Sequence, residues 1–335
     1  MLLNAIRAGV VKSALSVVTV SLVVDAAAAM GEKPAAAPSR PTGSLRNTIA
    51  LQLALERVGI SPGLIDGILG AKTTNALREF QRVRGLPQSG VPDPATRAAL
   101  DVDEEDAIIR YTITAADRAA VGPLPKGWIE RSQMDRMPYP CLAEAVAERF
   151  HCSTGLLARL NPEVSLGSLA VGNVLLVPHA AEEPPPARAT RIEVDVSNKI
   201  IRVFGAKGEL LARFYCSVAA KKEKLPRGSG EVVVVAENPT YTFDPEMWPE
   251  VKGIDRKLTI PPGPRNPVGL RWIGLNLPGV GMHGTPTPEM IGKTGSHGCI
   301  RLTNWDAIRL AKMVSVGTPV RFINTPGSLA DAAGH

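Results

Sequence analysis

At 335 residues the chain exceeds one ordinary domain and has room for two or three. Its 44% hydrophobic content supports real cores, and with 4% aromatic residues those cores are mostly aliphatic. The formal charge of +6 suits anionic surroundings, but no Lys/Arg block with interleaved aromatics occurs, which argues against nucleic acid.

Residues 1–29 read as an export signal. Arg7 and Lys12 make a positive start, Ala14 to Val24 is apolar, and the Ala26–Ala29 run suits cleavage. The apolar stretch is shorter than the roughly 20 residues a membrane span needs, so no span is expected to remain after cleavage. Residues 30–44 are a Pro/Ala linker. Leu45, Ile49, Leu53 and Leu55 then give an approximate helical stripe closed by Gly59, Pro62 and Gly63. Thr73, Leu77 and Phe80 mark a second helix ending at Gly85, and Pro94 to Leu100 a third. Residues 45–100 are therefore read as a three-helix module.

Residues 101–138 open acidic and show no clear period from Thr112 to Gln133, so they are read as a connector. Residues 139–179 hold two short helical patterns, around Ala145–Phe150 and Leu156–Leu160. Asn161-Pro162 breaks the second, and a strand follows over Val174–Val177. Cys141 and Cys152 are close enough in sequence to pair, though spacing does not decide it. A Pro/Glu linker spans 180–189.

From residue 190 the period becomes two. Ile192, Val194 and Val196 alternate, then Ile201 and Val203, then Leu211, Phe214 and Cys216, as in consecutive hairpins. Val232–Val235 is continuously apolar and is predicted to be a central strand; Ile273, Leu275 and Leu277 fit another. Thr303 is a candidate helix cap with Asp306 three residues on, and Ala307, Leu310, Ala311 and Val314 form one buried face. The tail is 325–335.

The chemistry concentrates in Ser296-His297-Gly298-Cys299-Ile300-Arg301, with His283 upstream. Four cysteines and five histidines occur in the whole chain, so this grouping points to a thiol nucleophile. Spacing offers His297 and His283 equally as its base. Gly298 would let backbone amides turn toward a substrate carbonyl, and Arg301 could hold a carboxylate. A metal site from His283, His297 and Cys299 remains chemically open on these residues alone.

Three resemblances organise these readings. Leu51-Gln52, Gly59, Asp66-Gly67-Ile68-Leu69-Gly70, Thr73-Thr74, Phe80-Gln81 and Gly85-Leu86 resemble a three-helix peptidoglycan-binding domain. Ala147-Glu148-Arg149-Phe150, the run Leu156 to Pro162 and the run Leu169 to Pro178 resemble a LysM module whose usual Gly-Asp-Thr/Ser opening is missing. His283-Gly284-Thr285, followed after a spacer by Ser296-His297-Gly298-Cys299-Ile300-Arg301-Leu302, is similar to the signature of the L,D-transpeptidase (YkuD) catalytic domain, as are Asn266-Pro267-Val268-Gly269 and Met282 to Pro286.

Together the three resemblances imply a multidomain chain. Its catalytic domain at 190–324 would be a mainly-β sandwich with a short helix, preceded by a small three-helix domain and a small α+β LysM-like domain. The last of them implies Cys299 as nucleophile, His283 as base and the Gly284 carbonyl as the base's partner. Ser296, His297 and Gly298 would shape the pocket and oxyanion site, and Arg301 would meet an acidic stem peptide. The implied partner is peptidoglycan, with an amine acceptor that could be a second stem or an outer-membrane lipoprotein. No metal or cofactor is implied, and the place of action is the periplasmic cell wall.

Overall fold

A computed structural model describes residues 43–180, 187–248, 250–296 and 298–324. The export-signal reading, most of the first linker, part of the second, His297 and the tail lie outside the described residues. Among them no helix is long and apolar enough to cross a membrane.

The chain opens on three helices, α1 (Gly43–Arg57), α2 (Ala71–Val83) and α3 (Pro94–Leu100). Leu51, Leu55, Ile60, Leu77, Phe80 and Leu100 close a small core between them. The loop between α1 and α2 is organised by buried Gln52. Its Oε1 accepts from the backbone of Asp66 and Gly67, and its Nε2 donates to the Asp66 side chain at 2.8 Å. Asp93 caps α3, accepting from Thr96 N at 2.7 Å.

Next come β1 (Ile108–Thr112), α4 (Ala115–Ala119), α5 (Trp128–Ser132), α6 (Leu142–Arg149), α7 (Thr154–Leu160) and β2 (Val174–Pro178). β1 lies in the stretch read as connector. It pairs antiparallel with β2, from Ile108↔Pro178 to Thr112↔Val174, so α6 and α7 are bracketed by two strands. The strand that completes this unit thus lies far upstream of residue 139. An excursion carrying α4 and α5 separates that strand from its helices. Asn161 locks the end of α7 to β2, donating to the Leu157 and Leu176 carbonyls and accepting from Leu176 N. The core here includes Ile49 and Leu53 of α1 beside Val146, Leu157 and Leu175, so α1 serves both small modules. All four cysteines are free, and Cys141 and Cys152 do not form the bond their spacing allowed.

The remaining strands are β3 (Arg191–Asp195), β4 (Ile200–Phe204), β5 (Leu210–Tyr215), β6 (Ser229–Glu237), β7 (Tyr241–Phe243), β8 (Leu258–Ile260), β9 (Arg271–Leu275), β10 (Gly281–His283), β11 (Ile300–Arg301) and β12 (Pro319–Ile323); helix α8 (Asn304–Met313) precedes the last. Eight of them form one sheet in the order β11-β10-β9-β6-β12-β3-β4-β5, and β7–β8 is a separate hairpin. The resemblance implied a sandwich; here the two leaves are continuous through β6. Its residues 229–231 pair with β12 and residues 232–237 with β9. That switch explains the fate of the apolar run. β6 is central, but only Val232 is buried, while Val233 and Val234 stay 44% and 41% exposed. Beyond Val232 no described strand pairs with β6 on the β12 side.

The predicted helix forms with Thr303 as its cap, accepting from Asp306 N at 3.2 Å. Ala307 and Leu310 face the buried cluster of Ile192, Val194, Ile201, Phe214, Ile273, Met282 and Ile300. The free edge of β5 is covered by the first module, where Ser61 N donates to Arg213 O and Arg213 N to Gly59 O. Gly59 has φ +85, and a Cβ there would lie 2.5 Å from the Leu211 carbonyl, so this close approach requires glycine.

Candidate active site

Local register brings the predicted residues together. β10 and β11 run parallel, with Met282 opposite Ile300 and His283 opposite Arg301. Met282, Ile300 and Leu302 are fully buried on the core side. By the two-residue alternation of a strand, His283, Cys299 and Arg301 then share the other face. On β9, Trp272 pairs with His283, and its indole stacks on the imidazole with ring centres 5.6 Å apart. Gly281 leaves room for that indole; a Cβ there would sit 2.5 Å from it.

His283 is buried, and its Nδ1 lies 2.6 Å from the Gly284 carbonyl oxygen. A carbonyl only accepts, so Nδ1 carries the proton and Nε2 keeps its lone pair. Burial, with Arg301 nearby, pushes the His283 pKa down to about 4, against the opposing pull of that hydrogen bond. Gly284 cannot carry a side chain, because a Cβ would lie 2.1 Å from Asn304 Oδ1. Asn304 in turn accepts from Leu270 N and donates to Glu148 Oε1 at 2.8 Å. Asn304, packed against Gly284, is therefore tied to Glu148 of the preceding module.

Cys299 is half-buried, with Sγ 3.4 Å from the Gly279 carbonyl. Burial raises its pKa, partly offset by a backbone hydrogen bond and by Arg301. Both shifts favour the uncharged forms, a thiol and a neutral imidazole lining one cavity. Ser296 Oγ bonds the Cys299 carbonyl and accepts from Gly298 N at 3.2 Å, while Ser296 N donates to Val218 O. The Gly298 amide is therefore engaged. The Cys299 amide makes no hydrogen bond among the described residues. Gly298 has no positive φ, and a Cβ there would meet only the Gly279 carbonyl at 3.8 Å, so the fold itself does not demand glycine. Arg301 donates to the Gly295 carbonyl. His297, and with it the three-ligand metal alternative, lies partly beyond what the structure describes.

These groups line a cavity of about 610 Å³. Its lining also includes Pro239, Tyr241, Asp244, Met247 and Trp248, in and around the β7–β8 hairpin. Trp128 and Arg131 also line it, and nothing in their sequence context flagged them.

The L,D-transpeptidase catalytic domain family matches residues 189–322, and the peptidoglycan binding domain family matches residues 45–100. Neither match extends over residues 101–188. A Bacillus licheniformis protein, YkuD, assigned to the L,D-transpeptidases, is 28% identical over 177 residues, 53% of this chain and 90% of its own. A second so assigned, YqjB of Bacillus subtilis, is 33% identical over 154 residues, covering 44% of this chain and 73% of its own. The chain belongs to the L,D-transpeptidase family. Among solved structures, the Enterococcus faecium L,D-transpeptidase overlaps with a TM-score of 0.31 at 22% identity, over 41% of this chain and 50% of that one. At family level this L,D-transpeptidase joins a peptidoglycan-directed catalytic domain to a peptidoglycan binding domain. Its thiol motif falls inside the matched catalytic segment.

Proposed function

We propose that this L,D-transpeptidase attacks peptidoglycan tetrapeptide stems with the Cys299 thiol, releases the terminal D-Ala and passes the acyl group to an amine. The tautomer of His283 carries the reading. With Nδ1 committed to the Gly284 carbonyl, Nε2 is the nitrogen available as base in the cavity that holds the thiol. As Sγ forms its bond to the stem carbonyl, the thiol proton passes to His283. As the C–N bond breaks, His283 returns that proton to the departing D-Ala amine, leaving a thioester. An acceptor amine then attacks, its proton goes to His283, and the released thiolate is reprotonated. The Cys299 amide, with no hydrogen bond among the described residues, is the oxyanion donor, and Ser296 holds its loop through Gly298. Arg301, two residues along the strand, meets a stem carboxylate.

A second diaminopimelate amine as acceptor gives a 3→3 crosslink, a lipoprotein lysine gives an anchored lipoprotein, and water gives a trimmed stem. In this reading the enzyme is exported by residues 1–29 and works in the periplasm. The unit closed by β1 and β2 is a LysM-like glycan binder, a reading supported by the paired strands that bracket α6 and α7. Binding modules raise the local concentration of an insoluble substrate. Mass spectrometry of muropeptides after incubation with the purified enzyme tests this. Loss of D-Ala with a dimer, a tripeptide or an exchanged fourth residue names the acceptor. An unchanged profile, with Cys299→Ala indistinguishable from wild type, would sink the proposal.

A further inference from the structure

One wall of the catalytic cavity does not come from the catalytic sheet. The excursion between β1 and α6 leaves its own module and lies on the β7–β8 hairpin. Met137 N donates to Pro262 O at 2.8 Å, and Arg265 N to Met137 O at 3.2 Å. Met137, Phe243, Leu258 and Ile260 close a small buried core there. Trp128 stacks on Phe243 with ring centres 4.5 Å apart, and Trp248 stands 5.8 Å from it. Excursion and hairpin are packed as one body, and α5 faces the cavity from it.

The charges of the lining differ in what they already hold. Arg265 is paired with Glu144 and donates to the Pro286 carbonyl. Asp244 is paired with Lys257 at 2.8 Å. Among the described residues the Arg301 side chain bonds only the Gly295 carbonyl. Arg131 donates its Nε to the Pro125 carbonyl at 2.8 Å and lies over the Trp128 ring, 5.7 Å from its centre. Its terminal nitrogens make no hydrogen bond or ion pair among the described residues. Partial burial disfavours its charge, a cost that an anionic ligand would offset.

We infer that Arg131, presented from the module preceding the catalytic sheet, is a specificity-determining residue that binds a carboxylate of the peptide substrate, with Trp128 covering the apolar part of that peptide. The inference rests on the proposed reading of the site and adds a recognition point outside the catalytic domain. Among the described residues, Arg131 and Arg301 are the two lining cations without an anionic partner, one on the wall and one on the thiol strand. Together they fit a peptide bearing more than one carboxylate.

The test uses the full-length enzyme with tetrapeptide muropeptides, varying donor and acceptor separately, each with carboxylates free or amidated. Arg131→Gln is expected to raise KM for one of the two stems about tenfold, the loss of one charge-assisted hydrogen bond. Its kcat should stay within about a factor of two, and Cys299 alkylation by iodoacetamide should be unchanged. Arg131→Lys should recover part of the loss. Amidation of that stem should raise the wild-type KM by a similar factor and leave the Arg131→Gln enzyme indifferent, and the affected arm tells donor from acceptor. Unchanged KM for both stems in an active Arg131→Gln enzyme overturns the inference alone. An equal penalty on free and amidated stems also overturns it. A wild-type enzyme that releases no D-Ala from any stem overturns the proposed function, and this inference with it. Should Arg131→Gln lose alkylation too, the wild-type amidation comparison with Arg131→Lys decides.

Discussion

The floor and the wall of the cavity are built in different ways. The floor is the ladder β9–β10–β11, with Met282, Ile273 and Ile300 fully buried beneath it and the thiol motif stitched to residues 217–220. The wall is a three-residue-per-strand hairpin and a five-residue helix around four buried side chains. A backbone ladder over a large core fixes reacting atoms. A satellite core with half-buried aromatics opens at lower free energy and suits a surface that must admit a polymer.

The largest expected effect falls on the floor. Cys299→Ala should lower D-Ala release by a factor of about a thousand or more, measured by muropeptide turnover. Cys216→Ala should not do so, since that thiol is fully buried and pushed up to about 12. Comparable loss in both would mean that Cys299 is not special.

His283→Gln should lose about 10²–10⁴-fold in kcat/KM, the usual span for a general base. With His283 held near 4, the acid limb of the wild-type profile should fall near pH 4 and not near 6.5. Because burial raises Cys299, its alkylation rate should climb through neutrality and level off only above the ordinary thiol range. A plateau by pH 7 would show a preformed thiolate–imidazolium pair instead.

Next in size is the junction under the floor. Burial pushes Glu148 up to about 7 and Asp306 up to about 7, the latter also through Glu56. These acids hold protons in the folded state that they lose on unfolding. Stability should therefore fall as pH rises from about 4 to about 7, then flatten. The Glu148 share is about 3 kcal/mol at most. Thermal melts from pH 4.5 to 8 should show this slope, and Glu148→Gln should flatten part of it while keeping the Asn304 contact. A melting temperature that rises over this range would contradict the buried, protonated state.

The smallest effect belongs to the wall. Trp128→Ala should speed amide exchange across residues 241–260 and cost less global stability than Ile300→Ala, for which about 2–5 kcal/mol is expected. Equal protection of the hairpin in both would merge wall and floor into one cooperative unit.

How much of this was legible follows the same division. Cys299, His283, Gly284, Ser296 and Arg301 fall in two short runs, so a linear pattern exposes them. Trp272 needed the register, because only the pairing of β9 with β10 brings it to the imidazole, and Asn304 needed the packing that sets it against Gly284. The strand at Ile108–Thr112 was missed, since its partner lies some 60 residues on and its burial is only partial. The Val232–Val235 run was read as central; its half-exposed state depends on where β12 stops pairing.

The sequence by itself determined the grouping of Cys299 with His283, the helix after it and the order of the two family-matched segments, because these rest on local spacing and backbone preference. Only the tertiary structure decided the tautomer of His283, the module that holds Asn304, and the presence of Arg131 and Trp128 in the cavity. Each of these depends on contacts between segments far apart in the chain, which periodicity does not encode.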